Sequence, residues 1–271
     1  MSSASSGAPL RAFDRPADRI RQHRQVSDAP VVVVEGPDDF LVLRPHLPGA
    51  DIFPANGKAN AIETARTLLS WCIERFVCVT DRDFDDPVLV EDIASVHIPY
   101  DGRDLEAMLI DLGVLATVLE HQGSEEKISS CGGCTTLIQQ FRACVSPVTE
   151  LRSRNSAEGW GLAFDQVNLA SKIDRDLNLK VINYCAALVQ ASSTTASLAE
   201  VTACARAAQP AAHRGKDILL VAGVALRRKA GSLPQAATEE PVLCGQLHSS
   251  AGYALSMSDW LGALHRRLQP A

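Results

Sequence analysis

The stretch that decides the fold is residues 30–39, Pro-Val-Val-Val-Val-Glu-Gly-Pro-Asp-Asp. Its four consecutive valines form an uninterrupted β-branched run, which is typical of a strand buried on both faces of a parallel sheet. Glu35-Gly36-Pro37 ends this strand, and the pattern from Asp38 to Arg44 predicts a short helix. The first predicted strand is therefore followed at once by carboxylates.

Strands and helices continue to alternate toward residue 120. Further strands are predicted over residues 51–55, 75–80 and 95–100, and helices over residues 60–74 and 104–119. Asn60 is expected to cap the first of these helices. Such alternation indicates βαβ units and a mostly parallel sheet flanked by helices. We therefore predict an α/β, Rossmann-like fold for this part of the chain.

The two ends of the chain have a different character. Residues 1–27 are predicted to be a disordered or short helical segment, in which the arginines suit either a solvated helix or a contact with nucleic acid or a partner. Residues 121–271 are predicted to be a mainly helical C-terminal region. Helices are expected there over residues 137–151, 183–208, 218–229 and 257–268, and loops over residues 123–133 and 231–245.

Composition limits the class of protein. The chain has 271 residues and a formal net charge of −6, which argues against broad, non-specific coating of DNA. No apolar run approaches the roughly 20 residues that a membrane span needs, and residues 1–7 lack the apolar stretch of a secretory signal. The eight cysteines are scattered, unlike those of a secreted disulfide scaffold. We therefore expect a soluble cytoplasmic protein with no membrane association.

Acidic residues follow two of the predicted strands. Glu35 and Asp39 follow the first strand, and Asp81 and Asp83 follow the third. The carboxyl ends of parallel strands lie at one sheet edge, which is where open α/β sheets bind ligands. Clustered carboxylates repel one another unless a cation is present, and hard oxygen donors suit Mg²⁺ or Mn²⁺. The pattern therefore predicts a divalent-metal site of the kind that supports phosphodiester cleavage.

Two of these motifs resemble a known family. The segments Val-Val-Val-Val-Glu35-Gly36-Pro-Asp38-Asp39 and Val-Cys-Val-Thr-Asp81-Arg82-Asp83 resemble the TOPRIM domain, whose pattern is a glutamate after the first strand and Asp-x-Asp after the third. Topoisomerases, bacterial primases and nucleases of the OLD (overcoming lysogenization defect) family share that domain. By this resemblance, residues 28–120 are predicted to form a TOPRIM catalytic domain.

Two further segments are similar to the OLD branch. Asp104-Leu105-Glu106 corresponds to an additional acidic position of that branch. The segment Arg214-Gly215-Lys216-Asp217 resembles the C-terminal part of small stand-alone OLD-like proteins. Members of that group serve as effectors in bacterial phage-defence modules, often beside a separate ATPase.

The resemblance implies a Mg²⁺- or Mn²⁺-dependent nuclease that acts on DNA or RNA, in anti-phage defence and with a separate ATPase partner. It implies the metal ligands Glu35, Asp39, Asp81, Asp83 and Glu106, and the catalytic residues Glu35, Asp81, Asp83 and Lys216. Lys58 or Lys216 would stabilise charge on the scissile phosphate. Lys216 is equally well explained as a surface residue at the start of a helix.

Departures from the family leave alternatives open. The chain has no P-loop of its own, since Gly215-Lys216 continues into Asp217, so any ATP dependence requires another chain. A catalytically silent TOPRIM-like subunit that binds a partner or nucleic acid is the first alternative. A metal-dependent phosphatase is the second, although phospho-aspartate enzymes place Asp where this chain has Glu35. A homo-oligomer is also left open.

Other motifs have simpler explanations. Cys131-Gly-Gly-Cys134 lacks the second cysteine pair of a structural zinc site, so a reduced pair of loop thiols is favoured over zinc binding. His97 lies within a predicted strand and is expected to be a packed residue. His213 precedes the Gly-Lys turn, where a position near the acidic edge is an alternative to a structural role.

Overall fold

The computed structural model describes residues 15–85, 87–209 and 211–269. These residues form two compact units. The first unit contains residues 15–81, 87–99 and 259–269, and the second contains residues 82–85, 100–209 and 211–258. The chain therefore leaves the first unit after residue 81, re-enters it at residue 87, leaves again after residue 99 and returns at residue 259.

A four-stranded, all-parallel sheet forms the centre of the first unit, which confirms the predicted α/β, Rossmann-like fold class. Its strands are β1 (Val31–Val34), β2 (Asp51–Pro54), β3 (Phe76–Thr80) and β4 (His97–Pro99), in the order β2-β1-β3-β4. Every residue of β1 and β3, the two central strands, is buried. The valine run is thus covered on both faces, as predicted.

Thirteen α-helices are present in the described residues. They are α1 (Pro16–His23), α2 (Pro37–Leu43), α3 (Lys58–Ser70), α4 (Leu105–Asp111), α5 (Val114–Gln122), α6 (Glu125–Ser130), α7 (Gly133–Glu158), α8 (Val181–Ala191), α9 (Leu198–Arg206), α10 (Gly215–Arg228), α11 (Glu240–Ser250), α12 (Gly252–Ser256) and α13 (Asp259–Leu268). Helices α1, α2, α3 and α13 belong to the first unit, and the other nine to the second. None of the thirteen is both long and apolar enough to span a bilayer.

The core of the first unit lies between its sheet and its helices. Ile20 of α1 and Leu68 of α3 are fully buried and pack with Val31 and Val33 of β1. Helix α13 also packs on the sheet, where it contacts β3. The Trp260 indole of α13 donates a hydrogen bond of 2.9 Å to the carbonyl of Pro99 in β4.

The predicted cap of α3 is wrong. The helix begins at Lys58 after Gly57, and Asn60 lies inside its first turn, where its side chain donates to the carbonyl of Asn56. Gly57 has φ +116°, a conformation that glycine adopts readily and other residues avoid. This glycine therefore starts the helix earlier than the polar side chain suggested.

The predicted helix over residues 104–119 is two helices, and the predicted loop over residues 123–133 contains a third. Gly113 separates α4 from α5 with φ +87°, in the left-handed region that interrupts a helix. The side chain of Ser124 caps α6 by accepting from Lys127 N. Helix α7 is longer than predicted and continues through Pro147.

The predicted continuous helix over residues 183–208 is also wrong, because α8 ends at Ala191 and α9 begins at Leu198. Ser197 and Glu200 form a capping box, in which each side chain accepts from the other residue's backbone N–H. The predicted loop over residues 231–245 includes the start of α11. The last helix, α13, starts at Asp259 and not at residue 257.

Candidate functional site

The first unit brings two of the predicted site residues together. Glu35 directly follows β1, and Asp81 directly follows the neighbouring parallel strand β3. The Glu35 carboxylate accepts a hydrogen bond from the backbone N–H of Asp81, with Oε1 2.7 Å from N. This contact fixes the glutamate beside the start of the Asp81 loop at the carboxyl edge of the sheet.

Asp39 lies in the first turn of α2 and is buried. Its Oδ2 accepts a hydrogen bond of 2.8 Å from the backbone N–H of Gly36, the N-cap residue of that helix. A carboxylate here also interacts favourably with the positive end of the helix dipole. Asp39 therefore stabilises the turn that carries Glu35 into α2.

Lys58 occupies the first position of α3 and is half-buried. The preceding residue, Gly57, donates its backbone N–H to the carbonyl of Glu35 across 2.8 Å. The loop between β2 and α3 therefore lies against the end of β1. Lys58, one of the two predicted lysines, is therefore the sequence neighbour of a residue that hydrogen-bonds to Glu35.

The remaining predicted residues belong to the second unit. Asp83 adopts φ +47°, and its backbone N–H donates to the carbonyl of Arg103 across 2.8 Å. The Arg103 guanidinium donates back to the carbonyl of Asp83 across 2.7 Å and lies 4.6 Å from the centre of the Phe84 ring. Arg103 therefore holds the backbone of Asp83 in its unusual conformation.

Glu106 lies in α4 beside two residues that the sequence did not single out. Its Oε1 is 3.2 Å from the Cys244 thiol and 3.2 Å from His248 Nε2, and the sulfur and Nε2 are 3.6 Å apart. Cys244 and His248 are four residues apart on α11, so their side chains lie on one helix face. We call these three residues the Glu106 cluster.

Charge and burial act together in the Glu106 cluster. Burial raises the pKa of Glu106, but the hydrogen bond from His248 and the positive charge of Lys216 outweigh it, and the pKa falls to about 2. Burial is the largest single effect and lowers the pKa of Lys216, but the negative charge of Glu106, together with smaller contributions from Cys244 and Glu240, outweighs burial and raises the pKa. Burial, and next the Glu106 charge, raise the pKa of the Cys244 thiol. Lys216 is therefore a half-buried countercharge to Glu106.

A close helix contact organises this region. Gly215 begins α10, and a Cβ at that position would lie 2.3 Å from the backbone nitrogen of Ala107 in α4. The Gly215 N–H donates to both carboxylate oxygens of Asp104, at 2.9 and 3.1 Å, while Asp104 also caps α4 by accepting from Ala107 N. Burial, and next the Glu106 charge, raise the pKa of Asp104 to about 7.

Asp217, also in the first turn of α10, has a structural environment. The Arg152 guanidinium of α7 binds both of its carboxylate oxygens, at 2.8 and 3.0 Å. The Asp217 side chain is 3% exposed, and that of Arg152 is 16% exposed. Arg152 also lies 4.4 Å from the centre of the Phe164 ring. This arrangement is a buried, two-point ion pair backed by an aromatic ring.

His213 and His97 each bond to a threonine. His213 Nδ1 lies 2.7 Å from the Thr149 hydroxyl, and burial, followed by the charge of Arg142, lowers the pKa of this histidine. His97 is half-buried, and its Nε2 lies 2.9 Å from the Thr80 hydroxyl.

Among the residues that the structure describes, no set of ligands that could hold a zinc ion includes Cys131 or Cys134. There the one group of three or more ligand-type side chains close enough to share an ion is the Glu106 cluster. The sequence contains one signal for the Glu106 cluster, because Cys244-x-x-x-His248 has the spacing of a ligand pair on one face of a helix. The glutamate that completes the cluster is 138 residues from Cys244, so no local pattern indicates it.

Comparison with known proteins adds no identification. No protein family model matches the chain, and no curated protein is significantly similar to it. The resemblance to TOPRIM and OLD proteins therefore depends on the sequence motifs alone.

Proposed function

We propose that the chain is a metal-dependent nuclease whose site lies at the carboxyl edge of the parallel sheet. The observation that carries the proposal is the 2.7 Å contact between Glu35 Oε1 and Asp81 N, which pairs the ends of β1 and β3. Two acidic residues at neighbouring strand ends are what the TOPRIM-like motifs predict. The fold class, a parallel sheet that binds ligands at this edge, supports the same site.

The donor types that the first unit offers, rather than a converged set of atoms, suit Mg²⁺ or Mn²⁺. Glu35, Asp39 and Asp81 offer carboxylate oxygens, the hard ligands that these ions prefer. A carboxylate has about four lone-pair positions, so the hydrogen bonds that Glu35 and Asp39 accept are compatible with metal ligation. When bound, the ion would activate water and offset charge on the phosphate. Asp83 remains a predicted ligand by its place in the Asp-x-Asp motif.

The residues themselves have separate roles in this proposal. Glu35 would be held in position by the Asp81 N–H, and Asp39 would hold the turn after β1 through Gly36. Lys58, next to the glycine that contacts the Glu35 carbonyl, would bind the negatively charged substrate. Lys216 would be less suitable for that role, because Glu106 already provides its countercharge. Glu106 is better suited to a site with its thiol and imidazole neighbours than to one made of oxygen donors.

The test compares isosteric variants that each remove one charge. Glu35→Gln and Asp81→Asn should abolish cleavage of plasmid, single-stranded DNA or tRNA in Mg²⁺ or Mn²⁺. Glu63→Gln and Asp28→Asn, which alter exposed carboxylates of the same unit, should leave it unchanged. Chelator should stop the reaction in every active sample. Cleavage by Asp81→Asn at the wild-type rate would refute the site.

An inactive wild-type chain calls for a second measurement. Thermal stabilisation by Mg²⁺ that disappears in Glu35→Gln would locate a metal site that lacks its activating partner, and the assay would then be repeated with a candidate ATPase. The absence of both cleavage and stabilisation would favour a silent subunit that binds nucleic acid or protein. Hydrolysis of a phosphate monoester, with no cleavage of nucleic acid, would favour the phosphatase alternative.

A further inference from the structure

The Glu106 cluster has the geometry of a metal centre in its own right. We propose that Glu106, Cys244 and His248 bind a transition-metal ion, with Zn²⁺ the best fit, separately from the oxygen-donor site of the first unit. All three ligand atoms lie within 4.8 Å of one another, and all three residues belong to the second unit. Carboxylate, thiolate and imidazole are the three ligand types that protein zinc sites use.

The distances within the cluster match a tetrahedral ion. Zinc bonds of about 2.0–2.3 Å place oxygen, nitrogen and sulfur ligands of one tetrahedral ion about 3.3–3.6 Å apart. The three separations here are 3.2, 3.2 and 3.6 Å. Small side-chain adjustments would therefore bring all three atoms to bonding distance from one point.

A cysteine-histidine-glutamate catalytic triad fits the cluster less well. In such a triad the histidine uses one ring nitrogen for the nucleophile and the other for the carboxylate. Here the thiol and the carboxylate both approach the same nitrogen, His248 Nε2. Three ligand atoms that converge on one point are characteristic of a metal site.

The scaffold presents these ligands from rigid elements. Cys244 and His248 project from successive turns of α11, and Glu106 from the first turn of α4, which α11 contacts. The side chains of Glu106 and His248 are 6% and 12% exposed, and Cys244 is buried. Ligands held in this way need little ordering when an ion binds, which favours affinity.

The charges of the site balance when zinc is bound. Lys216 interacts with both Glu106 and Glu240. The positive charge of Lys216 and the negative charge of Glu240 therefore offset each other in the surroundings of the cluster. Binding would release the Cys244 proton to solvent and form a sulfur–zinc bond. The charges of Glu106 and of the Cys244 thiolate would then match the +2 of the ion. Three protein ligands leave a fourth position for water or an anion, as in catalytic zinc sites.

The test uses cobalt as a spectroscopic substitute for zinc, with the full chain and without Mg²⁺ or nucleic acid. Tetrahedral Co²⁺ with a thiolate ligand gives a sulfur-to-metal charge-transfer band and strong visible absorption. We expect one equivalent of Co²⁺ to produce both, and Zn²⁺ to displace it. The charge-transfer band should disappear in Cys244→Ser. His248→Gln and Glu106→Gln should weaken binding at least tenfold.

Matched controls exclude the other thiols and imidazoles. Cys131→Ser and His121→Gln make the same changes outside the cluster and should bind Co²⁺ like the wild type. Circular dichroism would show whether Cys244→Ser folds; if it does not, the affinity of His248→Gln carries the test. A wild-type chain without a thiolate band, a band that survives Cys244→Ser, or a band lost in Cys131→Ser would overturn the proposal. Because no substrate is present, these results do not depend on nuclease activity.

Discussion

Gly215→Ala tests the close contact between the start of α10 and the first turn of α4, where Glu106 lies. The added Cβ would lie 2.3 Å from Ala107 N and 2.5 Å from the Glu106 Cβ. Non-bonded carbon atoms are best separated by about 3.5–4.0 Å, so the start of α10 would have to withdraw from α4 by more than about 1 Å. That movement would lengthen both hydrogen bonds from Gly215 to the buried Asp104 carboxyl.

The expected cost follows from three effects. Overpacking costs about 1–3 kcal/mol, and a lost hydrogen bond to a charged group costs about 1.5–3 kcal/mol. The better helix propensity of alanine returns up to about 1 kcal/mol. The free energy of unfolding should therefore fall by roughly 1.5–6 kcal/mol. Urea unfolding followed by circular dichroism measures it, with a two-state fit used only if a second probe gives the same transition.

Gly245→Ala is the matched control, because it makes the same change within α11 of the same unit. No atom lies within 4 Å of the Cβ it would add, and its backbone is helical. This variant should gain up to about 1 kcal/mol of stability from helix propensity. Equal effects of the two substitutions would refute the reasoning, because they would mean that Gly215 has room for a methyl group.

Three further outcomes are expected from other contacts. Arg152→Ala should lower the free energy of unfolding by about 3–5 kcal/mol, because it leaves Asp217 buried without the guanidinium that binds it. In a double-mutant cycle, the variant that also carries Asp217→Ala should lose less stability than the sum of the two single losses. Because burial lowers the pKa of His213, the unfolded chain binds this proton more tightly, so stability should fall as the pH drops below about 6.5. Urea titrations at a series of pH values should show a shallower slope for His213→Gln, and an unchanged slope would count against that assignment. Trp260→Phe should cost about 1–3 kcal/mol by leaving a carbonyl of β4 without its indole donor, and a thermal melt indistinguishable from that of the wild type would contradict this.

The sheet was predictable because the burial of a strand directly restricts which residue types it can contain. A strand covered on both faces must be apolar at every position, and Val31–Val34 is such a run. The adjacency of Glu35 and Asp81 follows from the same topology, since parallel strands end at one edge. These features depend on local pattern and one general rule of chain geometry.

The helical region was less predictable because apolar periodicity does not stop where a helix stops. The break between α8 and α9 depends on the capping box of Ser197 and Glu200, a signal present in the sequence but outweighed there by an alanine-rich pattern. The Glu106 cluster depends on helix packing between distant segments, which periodicity does not encode. Its histidine and cysteine are recognisable as a pair only once α11 is known to be helical.

The return of α13 to the sheet has a consequence for how the protein is made. Translation delivers β4 early and Trp260 only after all of the second unit, so the indole that donates to Pro99 is made after every residue of that unit. Throughout that interval the nascent sheet lacks α13, one of the helices that contact β3. The first unit can therefore be completed only after every residue of the second unit has been synthesised.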